Sequence, residues 1–269
     1  MLGKTKTGML AWVMPALVAG LMTLTGPHQA QAQLLDEILK KGKVVVGIDL
    51  TAPPFGLQDK DMKPAGYDVE VATLLAKDLG VELEIVQDNS SNRIPYLLTK
   101  RVDVTISNLA LSTDRAKSVA FSIPYCALSA NLMMRKSVKA ETRADMAGKK
   151  IGVPRGTFSE ADALSLVPSN DVIRFDDEAS AQAALVAGQV DGYIAASVMT
   201  KALADRHPEL ELEDKMTMRW NYHGIGIRRG DPDLLRWLDV FVFVHRENGD
   251  LAKLYEKWFG KKLPELKVF

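Results

Sequence analysis

The sequence predicts an α/β fold with doubly wound, parallel sheets. Runs rich in β-branched residues alternate along the chain with helical patterns, which is the order of elements in a parallel sheet covered by helices. A short pattern also occurs twice, as Thr-Lys-Arg-Val-Asp-Val at 99–104 and Ala-Gly-Gln-Val-Asp-Gly at 187–192. Each is a helix end, a tight turn and a strand. We interpret them as one layout used in two halves of the chain, with chance similarity of short turns as the alternative.

The first half of the chain opens with a predicted helix at 34–40 and a strand at 43–48 that is apolar enough to be covered on both faces. Two adjacent prolines make 51–56 a loop, because proline suits neither a helix interior nor a central strand. A helix begins after Gly66, with two acids in the first turn, where the helix dipole favours them. Further elements are a strand at 81–86, a helix at 92–99 and a strand at 102–106.

A second, similar series of elements begins after residue 135. It is predicted to contain strands at 149–153, 172–175, 190–194 and 224–227 and helices at 180–187 and 251–259. Asp231 and Pro232 open one more helix, since proline fits the first helical turn.

The residues at 1–32 are typical of a cleavable signal peptide. Lys4 and Lys6 form a basic start, 8–24 is an apolar run, and Ala-Gln-Ala at 30–32 offers the small-x-small cleavage site. An uncleaved membrane anchor is the alternative. The leader predicts an exported protein.

The charge balance gives no support for a nucleic-acid or anionic membrane partner. The 269 residues include 34 basic and 34 acidic side chains, so no excess positive charge is available to bind a polyanion. No apolar stretch after the leader approaches the length needed to cross a membrane.

No disulfide, metal or cofactor is predicted. Cys126 is the single cysteine and lies in an apolar run, so we expect a buried packing residue rather than a reactive thiol. His207, His223 and His245 lack partners at the spacing of metal ligands.

A series of short motifs follows the leader in a fixed order. They are Val-Gly-Ile-Asp at 46–49, Pro-Phe at 54–55, Gly-Tyr-Asp at 66–68, Ser-Thr-Asp-Arg at 112–115, Phe-Ser-Ile-Pro-Tyr at 121–125, Lys-Lys-Ile-Gly-Val at 149–153, Gly-Thr at 156–157, Gly-Asp-Pro at 230–232 and Leu-Tyr-Glu-Lys-Trp-Phe-Gly at 254–260. Each motif alone is weak. In this order they resemble the periplasmic solute-binding proteins of ABC importers, in the family that binds polar amino acids.

The resemblance implies a periplasmic binding protein type II fold, with two α/β lobes joined by two hinge crossover strands. The predicted lobes are 33–128 with 226–269, and 129–225. Ligand bound in the interlobe cleft contacts both lobes only when they close, so binding shifts the equilibrium to the closed form. The implied partners are a small amino acid or other carboxylate ligand and an ABC permease in the inner membrane, and we expect a monomer.

The resemblance assigns a ligand carboxylate to three residues. Arg115 falls where the family places the arginine that binds the α-carboxylate, and a guanidinium suits that task because its two N–H groups match two carboxylate oxygens. Asn108 and Thr157 fall at positions that help to hold the same group. The alternatives are a surface arginine paired with Asp114 and, for Thr157, a helix cap.

Three groups expected from the resemblance are missing. The position of a stacking aromatic is Ala52, the position of a hydroxyl is Ala110, and the lobe-two acid that pairs with the ligand ammonium is replaced by Ala196, next to Ser197. A buried ammonium without a countercharge costs several kcal/mol. Either another acid supplies the charge or the ligand has no free amine.

The stretch at 90–95, Ser-Ser-Asn-Arg-Ile-Pro, resembles the branch that includes binders of acidic amino acids. There Arg93 would reach a side-chain carboxylate, with Ser90 close by; the alternative is a solvated helix residue. Arg155 could add positive charge from the second lobe. Asp49 is expected at the mouth of the cleft, where it contacts a cationic ligand group, caps a backbone segment or pairs with Arg93.

Aromatic residues at two places could replace the missing stacking group. Phe55 is one, although core packing is also expected for it. The segment 220–223, which includes Tyr222, directly precedes a predicted hinge strand and could border the cleft.

Two other functions share this fold. A lyase similar to the exported cyclohexadienyl dehydratases would need a cleft acid of near-neutral pKa, at the position that the resemblance gives to Ser159. A ligand carrier for a sensory receptor would differ only in its membrane partner. The sequence contains no Gly-x-Ser-x-Gly elbow or phosphate loop, and we predict a binding protein rather than an enzyme.

Overall fold

The computed structural model describes residues 34–267, which form two five-stranded sheets with helices packed against them. The predicted signal peptide at 1–32 lies outside the described residues. We call the first sheet with its helices lobe 1 (residues 34–121 and 226–267) and the second lobe 2 (residues 126–223).

The first part of lobe 1 carries most of its elements. They are helix α1 (Leu34–Lys41), strands β1 (Lys43–Ile48), β2 (Leu57–Gln58) and β3 (Pro64–Ala65), helix α2 (Tyr67–Leu79), strand β4 (Glu82–Gln87), helix α3 (Arg93–Leu98), strand β5 (Val104–Thr105), helix α4 (Thr113–Ala116) and strand β6 (Val119–Phe121).

Lobe 2 follows as one continuous segment. It contains strands β7 (Cys126–Arg135) and β8 (Ile151–Pro154), helix α5 (Phe158–Leu166), strand β9 (Val172–Phe175), helix α6 (Glu178–Val186), strand β10 (Gly192–Ala196), helix α7 (Ser197–Arg206) and strand β11 (Leu212–His223). The chain then returns to lobe 1 with strand β12 (Gly226–Arg228) and helices α8 (Pro232–Glu247) and α9 (Asp250–Phe259).

Both main sheets are mixed, so the prediction of parallel sheets is wrong for some strands. In lobe 1 the strand order is β4-β1-β5-β12-β6, and β12 is antiparallel to both of its neighbours. In lobe 2 the order is β11-β7-β10-β8-β9, and β7 is antiparallel to β10 and β11. The reason lies in the connections. β7 enters lobe 2 from lobe 1, and β12 enters lobe 1 from lobe 2. Each therefore starts at the cleft side of its sheet, where its neighbouring strands end, and runs opposite to them.

Two neighbouring strands link the lobes. β7 and β11 pair antiparallel from Arg135 and Leu212 to Cys126 and His223. The chain passes between the lobes at 122–125 and again at 224–225. We propose these passages as the hinge, next to the lobe boundaries that the sequence predicts after residues 128 and 225.

The predicted elements agree well with the structure at the level of single segments. The strand at 172–175 has the predicted bounds, and the helices predicted at 92–99 and 180–187 are α3 and α6. The strand predicted at 102–106 is reduced to β5, since the Asp103 carboxylate, rather than a strand carbonyl, accepts the Val45 N–H at 2.9 Å.

The core of lobe 1 continues up to the start of the hinge strands. Phe55, Tyr67 and Phe259 pack their rings against one another, with centroids 4.7 to 6.5 Å apart. Cys126 is fully buried beside them, which confirms its predicted packing role, and burial raises the pKa of its thiol. Burying each large side chain of this kind contributes about 1.5–3 kcal/mol to folding.

Candidate functional site in the interlobe cleft

A small cavity lies between the lobes and encloses about 40 Å³. This is room for a few water molecules, well below the roughly 300–1,000 Å³ of a small-molecule pocket, so a solute must enter while the lobes are further apart. Lobe 1 contributes Arg93, Asn108, Ala110 and Arg115 to the wall, and lobe 2 contributes Ala130, Thr157, Phe158, Ser159, Glu178, Ala195, Ala196, Asn221 and His223.

Arg115 crosses the cleft. One of its terminal nitrogens donates to the Ala110 carbonyl at 2.7 Å, and the other donates to the lobe 2 carbonyl of Gly156 at 2.8 Å. Asp114, the alternative partner, pairs with Lys117 instead. Burial and the Arg93 charge lower the pKa of Arg115 to about 10, so the guanidinium stays charged at neutral pH. Its N–H groups therefore lie at the junction of the two lobes.

Arg93 is buried on the lobe 1 side of the cavity. It donates to the backbone carbonyls of Ser107 and Asn108 and lies 3.5 Å from a carboxylate oxygen of Asp49. The solvated-helix alternative is therefore wrong, because the side chain is 5% exposed. Asp49 is buried behind Arg93 rather than at the cleft mouth, and burial raises the pKa of its carboxyl. Asp49 therefore holds the Arg93 guanidinium in place at the cavity wall and offsets part of its charge.

A buried carboxyl holds Asn108 in place. Asp68, at the start of α2, accepts the Asn108 backbone N–H at 2.7 Å and the Tyr125 hydroxyl at 2.8 Å. Burial raises the pKa of Asp68 to about 7. Through this contact the first turn of α2 positions the Asn108 side chain on the cavity wall.

The lobe 2 wall opposite these groups starts at a helix terminus. Thr157 is the N-cap residue of α5, but its side chain accepts no hydrogen bond from the helix backbone. Its hydroxyl donates to the Pro154 carbonyl at 2.7 Å instead. Phe158 follows, with the guanidiniums of Arg115 and Arg219 at 4.8 and 5.0 Å from its ring centre. Backbone N–H groups at such a terminus favour an anion.

Five of the predicted site residues do not line this cavity, and Asp49, behind Arg93, is one of them. Phe55 is fully buried in the lobe 1 core, so its selection as a cleft aromatic is corrected. Arg155 faces outward and pairs with Asp176 at 3.3 Å. Ser90 is buried near the Gly156 turn and lines no part of the cavity wall. Tyr222 lines a separate groove instead.

That outer groove has a volume of about 340 Å³ and lies on the other side of Phe158 and Asn221, which line both spaces. Trp220, 59% exposed, also lines it. The 220–223 segment therefore borders the cleft as expected, although Asn221 and His223, not Tyr222, reach the inner cavity.

Sequence reasoning missed Glu178 on the cavity wall and singled out His223 only as part of the 220–223 segment. Glu178 begins α6, and His223 ends β11. Burial and the charges of Arg93 and Arg115 lower the pKa of His223 to about 3, so its ring is neutral. The sequence signal for Glu178 was weak, since an acid in a first helical turn is ordinarily a response to the helix dipole.

The comparisons with known proteins match this architecture. The family described as bacterial extracellular solute-binding proteins, family 3, matches residues 44–261. The chain belongs to this family. Its fold is that of the type II periplasmic binding proteins, and the chain is a solute-binding protein of the kind that serves ABC importers.

Relatives with assigned ligands support the family membership. The L-cystine-binding protein TcyJ of Escherichia coli is 31% identical over 247 residues, which cover 91% of this chain and 92% of that protein. The L-arginine-binding protein of Pseudomonas aeruginosa is 28% identical over 81% of this chain and 88% of its own length. Both relatives are named as binding proteins.

Solved structures agree. A mutant of ArgBP from T. maritima has a TM-score of 0.78 and 31% identity, and the match covers 85% of this chain and all of that one. An ancestral amino acid-binding protein, described as a precursor of cyclohexadienyl dehydratase, has a TM-score of 0.76 and 32% identity, covering 84% of this chain and 99% of that chain.

The part of the chain that the structure describes holds neither a helix long and apolar enough to cross a membrane nor a group of three or more acidic, histidine or cysteine side chains placed to bind a metal ion.

Proposed function

We propose that this family 3 protein binds an amino acid by its α-carboxylate in the interlobe cleft and delivers it, in the periplasm, to an ABC permease. The observation that carries the proposal is the convergence of Arg115, Arg93 and Asn108 from lobe 1 with Thr157 from lobe 2 on one cavity. We further propose that the mature protein acts as a monomer.

The charges on the wall favour an anionic group. Two guanidiniums face one small space, and the Arg93 charge lowers the pKa of Arg115. A carboxylate placed between them would relieve this repulsion and could accept two parallel N–H bonds from a guanidinium. Arg115 already spans both lobes through Gly156, so a ligand bound there would couple carboxylate binding to closure.

The ligands of the relatives define the first candidates. TcyJ is named for L-cystine, and other relatives are named for arginine and glutamine. A thermal-shift screen of the ligand-stripped mature protein should therefore include these amino acids, acidic amino acids and dicarboxylates. Binding to the native state raises the unfolding midpoint according to RT ln(1 + [L]/Kd). A complete lack of stabilisation by carboxylate-bearing solutes would contradict the proposal.

Replacement of Arg115 tests the site itself. We expect Arg115→Ala to lower affinity for the best ligand by about a hundredfold or more, since it removes a charged hydrogen-bonding partner. Arg155→Ala is the matched control, because that arginine lies nearby but faces solvent. Affinities from isothermal titration should separate the two variants. Equal affinity for both would rule out the carboxylate assignment.

The lyase alternative has one observation in its favour: Glu178, with a pKa raised to about 7, lies on the cavity wall, and that is the range of a general acid. We propose that it does not act catalytically. Incubation of the identified ligand with the protein, followed by NMR, should return the ligand unchanged, whereas steady conversion would establish an enzyme.

A further inference from the structure

Glu178 is an acid on the lobe 2 wall for which the motif resemblance assigns no role. It is the first residue of α6, is 4% exposed and lines the same cavity as Arg115 and Ala196. Ala196 is the position at which the resemblance leads us to expect an acid for the ligand ammonium. The structure therefore puts a carboxyl on the wall from which the expected one is missing.

The Glu178 carboxyl is held by a chain of hydrogen bonds. The Tyr193 hydroxyl donates to one of its oxygens at 2.5 Å, and the Gln182 amide donates to the Tyr193 oxygen at 3.4 Å. Arg206 in turn donates to the Gln182 carbonyl oxygen at 2.7 Å. Among the described residues only Tyr193 donates to Glu178, which leaves its second oxygen able to accept a bond from a ligand.

Charged groups surround Glu178 from both lobes. Arg93 favours its ionised form, whereas Asp49 of lobe 1 and the adjacent Asp177 oppose it. Burial is the largest effect and raises the pKa of Glu178 to about 7. Arg115 and His223 line the same cavity, and the His223 ring is neutral.

We propose that Glu178 is the specificity-determining residue that pairs with the ligand's α-ammonium group in place of the acid absent at Ala196. The inference rests on the proposed function, because it assumes that the carboxylate of the same ligand lies at Arg115. Tyr193 acts as a positioning residue, since it orients the Glu178 carboxyl without lining the cavity.

This assignment makes binding depend on pH. An ammonium beside Glu178 favours the carboxylate form, so ligand binding below about pH 7 must release the proton held there. Affinity for an amine-bearing ligand should fall as pH falls below 7, by up to about tenfold per pH unit. Asp68 and Asp88 also have raised pKa values, about 7 and about 6, but neither lines the cavity.

The test compares ligand pairs that differ only in the amine. The probes are L-cystine with dithiodipropionate, L-arginine with guanidinovalerate, and L-glutamate with glutarate. Their affinities are measured by isothermal titration from about pH 5.5 to about pH 8.5 for the wild type, Glu178→Gln, Arg115→Ala and the exposed-acid control Asp205→Asn. Urea unfolding checks that each variant folds.

The expected result is selective. Glu178→Gln should lose at least about tenfold in affinity for the amine-bearing member of the bound pair at pH 8, lose the acid-side pH dependence and keep its affinity for the deaminated analogue. The double variant Glu178→Gln/Ala196→Asp should regain affinity for the amine-bearing ligand. A merely structural role of Glu178 would not allow this rescue.

Other outcomes overturn the inference and separate it from the proposed function. Two results would overturn the role of Glu178 but not the proposed function. One is an unchanged affinity of Glu178→Gln for the amine-bearing ligand, and the other is an equal loss of affinity for both members of a pair. Wild-type binding of deaminated acids without their amino acid counterparts overturns the role of Glu178 and the amino-acid part of the proposed function, and it leaves the carboxylate site standing. Failure of the wild type to bind any probe overturns both proposals.

Discussion

The two walls of the cleft are built in different ways. The lobe 1 wall consists of charged and amide side chains that are held by buried partners: Arg93 by backbone carbonyls and Asp49, and Asn108 by Asp68. The lobe 2 wall consists mainly of small side chains and a helix terminus, with Glu178 as its one charged group among the described cavity residues.

This difference indicates that the two lobes contribute differently to ligand binding. A polar wall whose side chains are already fixed can bind a carboxylate with little ordering cost. A wall with three alanines and one acid can change in shape and charge by single substitutions, so we expect it to set which ligand is accepted and when the cleft closes. The carboxylate end should therefore depend on lobe 1 and the rest of the ligand on lobe 2.

The largest expected effect comes from the buried ion pair of lobe 1. Arg93→Ala leaves the buried Asp49 carboxylate without its countercharge and should lower the free energy of unfolding by about 3–5 kcal/mol. Arg155→Ala of lobe 2 breaks an exposed pair and should cost about 1 kcal/mol or less. Urea unfolding at neutral pH measures both, and similar losses would remove the contrast between the walls.

An intermediate effect is expected at Asp68. Asp68→Asn leaves either the Tyr125 hydroxyl or the Asn108 N–H without a full acceptor and should cost about 1–3 kcal/mol. Because folding raises the Asp68 pKa to about 7, the protonated form contributes stability at low pH that is lost as pH rises from about 4 to about 7.

The stability advantage of the wild type over Asp68→Asn should therefore be larger at pH 5 than at pH 8. Unfolding free energies at the two pH values check this. A wild-type advantage that grows with pH would mean that the ionised carboxylate, not the neutral acid, is the favoured form in the native state.

The smallest effect tests closure through lobe 2. Gly156 has φ +71°, and an added Cβ would lie 3.3 Å from the Ser90 carbonyl of lobe 1. Gly188 has φ +70° in a turn with no atom within 4 Å of such a Cβ. Alanine at either position should cost about 1 kcal/mol of stability, and only Gly156→Ala should also weaken binding of the identified ligand, by about three- to tenfold. Matching affinities in the two variants would show that closure tolerates the extra methyl group.

Much of the fold was predictable because its signals are local. The helix after Gly66 and the strand at 172–175 follow from apolar spacing and turn residues within a few positions. The direction of β7 and β12 within their sheets was not predictable in this way, since it depends on the lobe from which the chain enters the sheet. No local pattern records that direction.

The candidate site was predicted unevenly for a similar reason. Arg115 and Thr157 were identified because they belong to motifs, and Asn108 by its position in the family resemblance; all three line the cavity. Phe55 belongs to a motif and Arg155 directly precedes one, but Phe55 is buried in the core and Arg155 faces solvent. Glu178 was missed because its motif is that of an ordinary helix start.

The sequence by itself determined the α/β character, the family and the arginine expected to bind the carboxylate, since each is encoded in short segments. Only the tertiary structure decided which side chains share the cavity. Arg93 and Glu178 are far apart along the chain, and their charges act on one another because the lobes bring them together away from water, where such interactions are strong. Burial raises the pKa of Glu178 and the nearby Arg93 charge opposes that rise, and the position of this carboxyl on the shared cavity wall is the physical basis for its proposed role.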